Sequence, residues 1–259
     1  MFPRCAPARA GALCAEGEEA FGQSDPARAA ELFEESLTLY RGLEDDAGVA
    51  AVLVELGPVA RPQGDHDRAA ALSEESLDLG CTLGDTRVTA IALSTLGRVE
   101  LHRGNTEGAI AHYEESLALF RKIGHGWGSA YTLANLAVAA HGRGDLERAL
   151  ALNEESLSIY SGLGDKSGMA LVLINLGDVA REQGEEDRAV ALYNDAVAMH
   201  KELGNERGMA RALGRLARGS SGSQLEEPLS IRIFPLPKPH QENRRADLRT
   251  AHPTSSYEL

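Results

Sequence analysis

From residue 25 onward the apolar positions fall into stripes that return every 40 residues. In the first copy Ala29, Phe33, Leu37 and Tyr40 lie three or four positions apart, which is one face of a helix over roughly 25–43. Asp25 suits the N-cap of that helix and Pro26 its first turn. A second striped segment runs roughly over 48–62 and recurs at 88–102, 128–142 and 168–182. Gly64, Gly104, Gly144 and Gly184 follow these segments, where helix C-caps favour glycine. Each period therefore predicts two helices. Neither can bury its stripe alone, so the units must stack.

The tetrapeptide Glu-Glu-Ser-Leu marks the repeat at 34–37, 74–77, 114–117 and 154–157, with a degenerate Asn-Asp-Ala-Val at 194–197. Its Leu lies on the buried stripe, and its Ser is a small residue suited to a close helix crossing. The two Glu fall off the stripe. They predict an acidic outer ribbon through Glu35, Glu75, Glu115 and Glu155, either a solvated face or a docking strip for a basic partner.

The chain has 259 residues and is 43% hydrophobic, enough for a sizeable core, with only 5% aromatic residues. Ala and Leu carry the apolar load, which suits closely packed helices. No apolar run approaches the ~18 residues of a membrane span, and the first residues show no signal-peptide pattern. Cys5, Cys14 and Cys81 form no CxxC pair and leave an odd thiol, which points to a reducing, cytoplasmic setting. Net charge is −13. Residues 220–259 balance five acids against five bases, so the whole excess belongs to the repeats. An acidic body argues against direct binding of nucleic acid or an anionic membrane.

Nothing in the chain predicts catalysis, a metal or a cofactor. The stretch Gly162–Gly168 offers glycines and a Lys-Ser pair, but it lacks the GxxxxGK[ST] order and sits between two helices. The eight histidines show no HxxxH or HExxH spacing. Cys81 is expected as a small apolar filler, and Trp127 as a packing residue between units.

The pattern resembles the tetratricopeptide repeat. One unit matches at Leu173, Leu176-Gly177, Ala180, Gly184-Glu185, Ala189, Tyr193 and Ala196. The unit before it matches at Leu133, Leu136-Ala137, Ala140, Gly144-Asp145, Ala149, Asn153 and Ser156. Units starting at Leu53 and Leu93 match too, and Leu13, Gly17, Ala20, Asp25, Ala29, Phe33 and Ser36 form a weaker first one, with Glu16 at a Leu position. The period exceeds the usual ~34 residues. This long form is similar to arrays in kinesin light chains and in bacterial signal-transduction ATPase regulators of the LuxR type.

That resemblance implies an all-α, right-handed superhelical solenoid of antiparallel helix pairs, about five units, with a disordered C-terminal tail. The expected organisation is a disordered start (1–9), then a solenoid over 10–219 and a Pro/Ser-rich tail over 220–259. The solenoid divides into units at about 10–43, 50–83, 90–123, 130–163 and 170–203, with a closing helix at 206–218. The tail contains Pro-Leu-Pro-Lys-Pro, and Ser230–Phe234 has the pattern of a short strand. Pro58 and Pro62 are expected to kink or shorten their helix.

The resemblance further implies a concave groove, lined by the first helix of each unit, that takes a protein or peptide. The expected groove residues are Arg98, Tyr131, Asn135, His141, Asn175, Arg181, Arg211 and Arg215, with Glu55, Thr95, Asp178 and Arg218 beside them. Asn135 and Asn175 fall where peptide-binding members of the family hold a backbone-gripping amide. The arginines suggest an acidic or carboxylate-bearing ligand. The alternative function is an effector-sensing arm of a signalling ATPase or transcription regulator.

Overall fold

The computed structural model describes residues 6–23, 25–60 and 65–220. Among them are eleven helices and no strand: α1 (Ala6–Gly22), α2 (Pro26–Gly42), α3 (Asp46–Ala60), α4 (His66–Leu83), α5 (Thr86–His102), α6 (Thr106–Lys122), α7 (Gly126–Gly142), α8 (Leu146–Gly162), α9 (Lys166–Glu182), α10 (Glu186–Glu202) and α11 (Glu206–Ser220). The tail beyond Ser220, its strand-like segment and Pro62 lie outside the described residues. Pro58 lies within α3, which continues through it to Ala60.

The 40-residue period is filled by two 17-residue helices and two three-residue links. Every link after α4 carries a glycine with φ between 63° and 81°, as at Gly204 and Gly184. A β-carbon would crowd the following carbonyl there. The next residue is the N-cap of the following helix, with a side-chain cap bond in each case but Glu185. Asp85, Asn105, His125, Asp145 and Asp165 each accept a bond from the backbone N–H three residues on. Its own N–H closes the previous helix, as in Asn105 N to Glu100 O at 2.9 Å. The link between α2 and α3 breaks this rule, because Glu44 holds a φ of 54°.

Successive helices pack as antiparallel neighbours, and each odd helix also touches the next odd one. The odd helices thus form a continuous inner row, and the even helices form the outer row. The core follows the stacking. Leu53, Leu133, Leu136, Val172 and Ile174 are each at most 2% exposed, and the signature aromatics Phe33, Tyr113 and Tyr193 are fully buried. Each of these aromatics lies over a glycine of the preceding odd helix. A Cβ on Gly177 would stand 2.5 Å from the Tyr193 ring, and one on Gly97 2.9 Å from that of Tyr113.

A second contact spans the links between units. Tyr40 packs on Gly48, Phe120 on Gly128, Tyr160 on Gly168 and His200 on Gly208. The approach is close: a Cβ on Gly48 would stand only 2.2 Å from the Tyr40 ring. The second unit reverses the arrangement: Gly80 stands where the ring would be, and the Val88 side chain fills the space from the other helix.

The tetrapeptide staples the array in three directions. The Ser hydroxyls cross to the odd helix of the same unit: Ser36 donates to Ala10 O at 2.8 Å, Ser116 to Ala90 O at 2.7 Å and Ser156 to Ala130 O at 2.7 Å. The glutamates differ from a simple solvated ribbon, because four of the eight bridge neighbouring units. Glu34 pairs with Arg68, Glu114 with Arg148, Glu75 with Arg41 at 2.6 Å, and Glu155 with Arg121. The outer helices stand too far apart to pack as the inner ones do, and long Arg–Glu pairs span the gap. Cys81 is exposed rather than a filler, in the ladder position that Arg41 and Arg121 hold in their units.

Two outcomes follow for stability. Glu44→Gly relieves a left-handed side chain and is expected to raise unfolding free energy by about 0.5–1 kcal/mol in urea titration. A drop in the midpoint would refute the strain. Ser116→Ala removes a buried bond and should cost about 1 kcal/mol, whereas Ser76→Ala, whose buried hydroxyl has no hydrogen-bond partner, should cost nothing measurable. Equal losses at the two positions would exclude the hydroxyl bond as the source.

Candidate functional site

The inner row places the expected groove residues in two groups. In the middle, Arg98 on α5 is only 2% exposed. Its Nη1 donates to the Tyr131 hydroxyl on α7, and its guanidinium lies 5.9 Å from that ring. The Arg98 Nε is buried without a hydrogen-bond partner. Tyr131 is stacked on Trp127 with centroids 5.3 Å apart. Trp127 in turn donates from Nε1 to the capping Asp165 of the next unit at 3.0 Å and meets Tyr160 edge-on. It does pack between units. Arg98, Tyr131 and Trp127 therefore bind units together along the inner row.

The two asparagines are engaged by the protein itself. Asn135 Nδ2 donates to Tyr131 O on its own helix at 3.0 Å. Asn175 is 7% exposed, and its Nδ2 points to Asn153 Oδ1 on α8 at 3.4 Å. His141, half-buried on α7, meets Glu182 of α9.

The second group gathers at the C-terminal end, on α9, α10 and α11. Asp178 is its hub. It accepts from the Tyr193 hydroxyl at 2.8 Å and pairs with Arg215 at 3.2 Å. Arg181 lies 4.7 Å over the Tyr193 ring, donates to Arg215 O at 2.8 Å and forks onto Glu186 at 3.1 and 3.2 Å. Arg211 is half-buried, and its charge is disfavoured. Burial first, and then the Arg215 guanidinium, push its pKa down to about 10, with Asp178 opposing. Burial, and after it the nearby Asp178, push the Tyr193 hydroxyl up. Three inner-row arginines thus gather near Asp178, with Arg215 paired to it and Arg181 forked onto Glu186.

Beneath them lies His200, a fully buried residue absent from the sequence-derived set. Burial and then the Arg211 charge hold its pKa below the ordinary histidine value. A signal for it was present in the sequence: positions 40, 120, 160 and 200 each carry a ring eight residues before a glycine. Among the described residues, no three His, Cys, Asp or Glu are placed to hold a metal ion. No described helix is long and apolar enough to cross a membrane.

A solenoid of antiparallel helix pairs, with an inner row of odd helices and a repeated Leu–Gly–aromatic contact, defines a helical-repeat protein. The tetratricopeptide repeat family model matches residues 48–122, 88–162 and 128–202, and a second model of that repeat matches 14–80. The chain belongs to the tetratricopeptide repeat family. No curated protein matches it by sequence.

Solved structures share the fold. BtubC (BKLC) from P. vanneervenii is 22% identical with a TM-score of 0.63, over 78% of this chain and 84% of that one. A putative kinesin light chain from Podosopora anserina, with nearly identical TPR-like repeats, is 17% identical at 0.56, over 76% and 97%. The Rap conjugation gene regulator of the plasmid pLS20, solved with the Phr* peptide, is 15% identical at 0.72, over 82% of this chain and 59% of that one.

His200 gives the fold a pH dependence of definite sign. Its folded pKa lies below the unfolded value of about 6.5, so the unfolded chain takes up the proton first. Stability is full above that value and falls as pH drops below it. His200→Phe installs the ring type of position 120 and is expected to flatten unfolding free energy between about pH 6.5 and 5. An unchanged slope would place the titrating group elsewhere.

Proposed function

We propose that the chain is a non-enzymatic scaffold, acting in the cytoplasm, that binds a protein or peptide along its inner row. The ligand is an acidic or carboxylate-bearing segment. The observation that carries this reading is the arginine cluster. Arg181, Arg211 and Arg215 gather near Asp178, with Arg215 paired to it and Arg181 forked onto Glu186, in a chain whose net charge is −13. Planar guanidinium forks match carboxylate geometry, and their partial burial strengthens each contact. Family membership supports an interaction role.

The middle group has a different part in this reading. Arg98, Tyr131, Asn135 and Asn175 shape the groove floor, because their polar atoms serve contacts within the array. His141 and Arg181 form the rim between units.

A second reading, an effector-sensing arm of a signalling regulator, is favoured by the likeness to the Rap regulator captured with a peptide. The two share the same site and differ in what the array is attached to.

A pair of fluorescent model peptides of equal length, one acidic and one basic, tests the ligand class by anisotropy at several salt concentrations. The acidic peptide is expected to bind more tightly, to weaken with salt, and to lose about tenfold or more on Arg211→Ala with Arg215→Ala. Tighter binding of the basic peptide would overturn the proposal.

A further inference from the structure

Arg98 is a core charge without a counter-charge. It is 2% exposed, its Nε has no hydrogen-bond partner, and among the described residues no carboxylate pairs with it. A guanidinium keeps its proton and presents five donors, so it cannot relieve its burial by turning neutral. A buried charge left unpaired is strongly destabilising. The groups that meet Arg98, the Tyr131 hydroxyl and ring, are neutral.

The last unit shows what this place lacks. There Asp178 accepts from the Tyr193 hydroxyl at 2.8 Å and pairs with Arg215 at 3.2 Å. The matching trio two periods earlier is Arg98, Tyr113 and Asn135, which contains no acid. Asn135 turns its amide away, donating to Tyr131 O at 3.0 Å.

Donors gather here instead. Ser94 stands one turn before Arg98 on α5, is 5% exposed, and its Oγ has no hydrogen-bond partner. Helical side chains lean toward the preceding turn, which brings the Arg98 stem over Ser94. Across the seam, the Tyr131 hydroxyl accepts from Arg98 Nη1 and keeps its own proton to donate. We propose that Arg98, Ser94 and Tyr131 hold a small monovalent anion, of the halide class, between α5 and α7. Burial sets the size: a site this closed suits a single ion rather than the carboxylate of a peptide. Water accepts the same bonds but brings no charge to offset the guanidinium. The ion takes the part that Asp178 plays in the last unit and ties the two inner helices together. This site is separate from the C-terminal arginines and does not rest on the groove being a peptide site.

Trp127, the only tryptophan, reports on the site because it stacks on Tyr131 with centroids 5.3 Å apart. Bromide, a heavy halide, quenches indole fluorescence at short range. The full-length chain is titrated with sodium bromide against sodium gluconate at constant ionic strength. The expected result is a saturable quenching component. Bromide at ten times its half-saturation should also shift the unfolding equilibrium in urea about tenfold toward the folded state. Arg98→Leu is expected to abolish both effects. Ser94→Ala keeps the charge and should raise the half-saturation severalfold, which decides the matter if Arg98→Leu loses its helicity. Arg211→Ala with Arg215→Ala should leave the titration unchanged. Strictly linear quenching of the native chain would overturn the proposal, and so would an unchanged half-saturation in Ser94→Ala. Saturation lost only in the Arg211 and Arg215 variant would overturn it too, by assigning the anion to the C-terminal cluster.

Discussion

A left-handed glycine followed by a capping residue sets the geometry on which the whole array depends. The link has three residues, so it leaves no slack. The glycine turns the chain back, the next N–H closes the old helix, and that residue's side chain opens the new one. Repeating this link at equal intervals brings matching positions of successive units into the same columns. Only then do Leu, Gly and aromatic columns meet their counterparts in the neighbouring helix. Strain at Glu44 is confined to one backbone position because the rest of that link, including the Asp45 bond to Gly48 N at 3.0 Å, is intact.

The two rows solve different problems with different chemistry. Inner helices approach closely, so small residues and rings carry the contact, and the one buried guanidinium of the middle group is met by a tyrosine hydroxyl and ring. Outer helices are more distant, so paired Arg and Glu reach across. Exposed pairs of this kind contribute little each, about 0–1 kcal/mol. Their value here lies in register: the bridging Glu and Arg stand 34 positions apart in every pair, at matching heights on neighbouring units. Where position 81 is Cys and position 108 is Gly, the rungs that would involve Glu115 and Glu74 lack their arginine.

Fold and period were legible because they are written several times over. Helix boundaries, link glycines and buried leucines recur in the same columns, and repetition averages out local ambiguity. At Pro58 one missing donor is a local cost that the packing of Val52, Leu53 and Leu56 offsets, so α3 continues through it to Ala60. The groove was harder to read. Facing inward is a property of the stack, and a column shows that Asn135 and Asn175 share a position but not that one bonds its own helix and the other Asn153. His200 escaped because it stands alone in a column otherwise filled by Tyr, Phe and Gly, so only the paired glycine eight residues on betrays its burial.

The reversed contact in the second unit bears on how such arrays can be rearranged. Between Tyr40 and Gly48, or Tyr160 and Gly168, the volume sits before the link; between Gly80 and Val88 it sits after. Each pair fills one space, but the halves are not interchangeable. A genetic exchange joining two units within the link between them would set a ring against valine, or glycine against glycine. The first overfills the seam and the second hollows it. Exchanges at the midpoint of a unit keep each pair whole. The natural module of this array, judged by what can be shuffled intact, is therefore an even helix with the odd helix that follows it, offset by one helix from the unit that the family pattern describes.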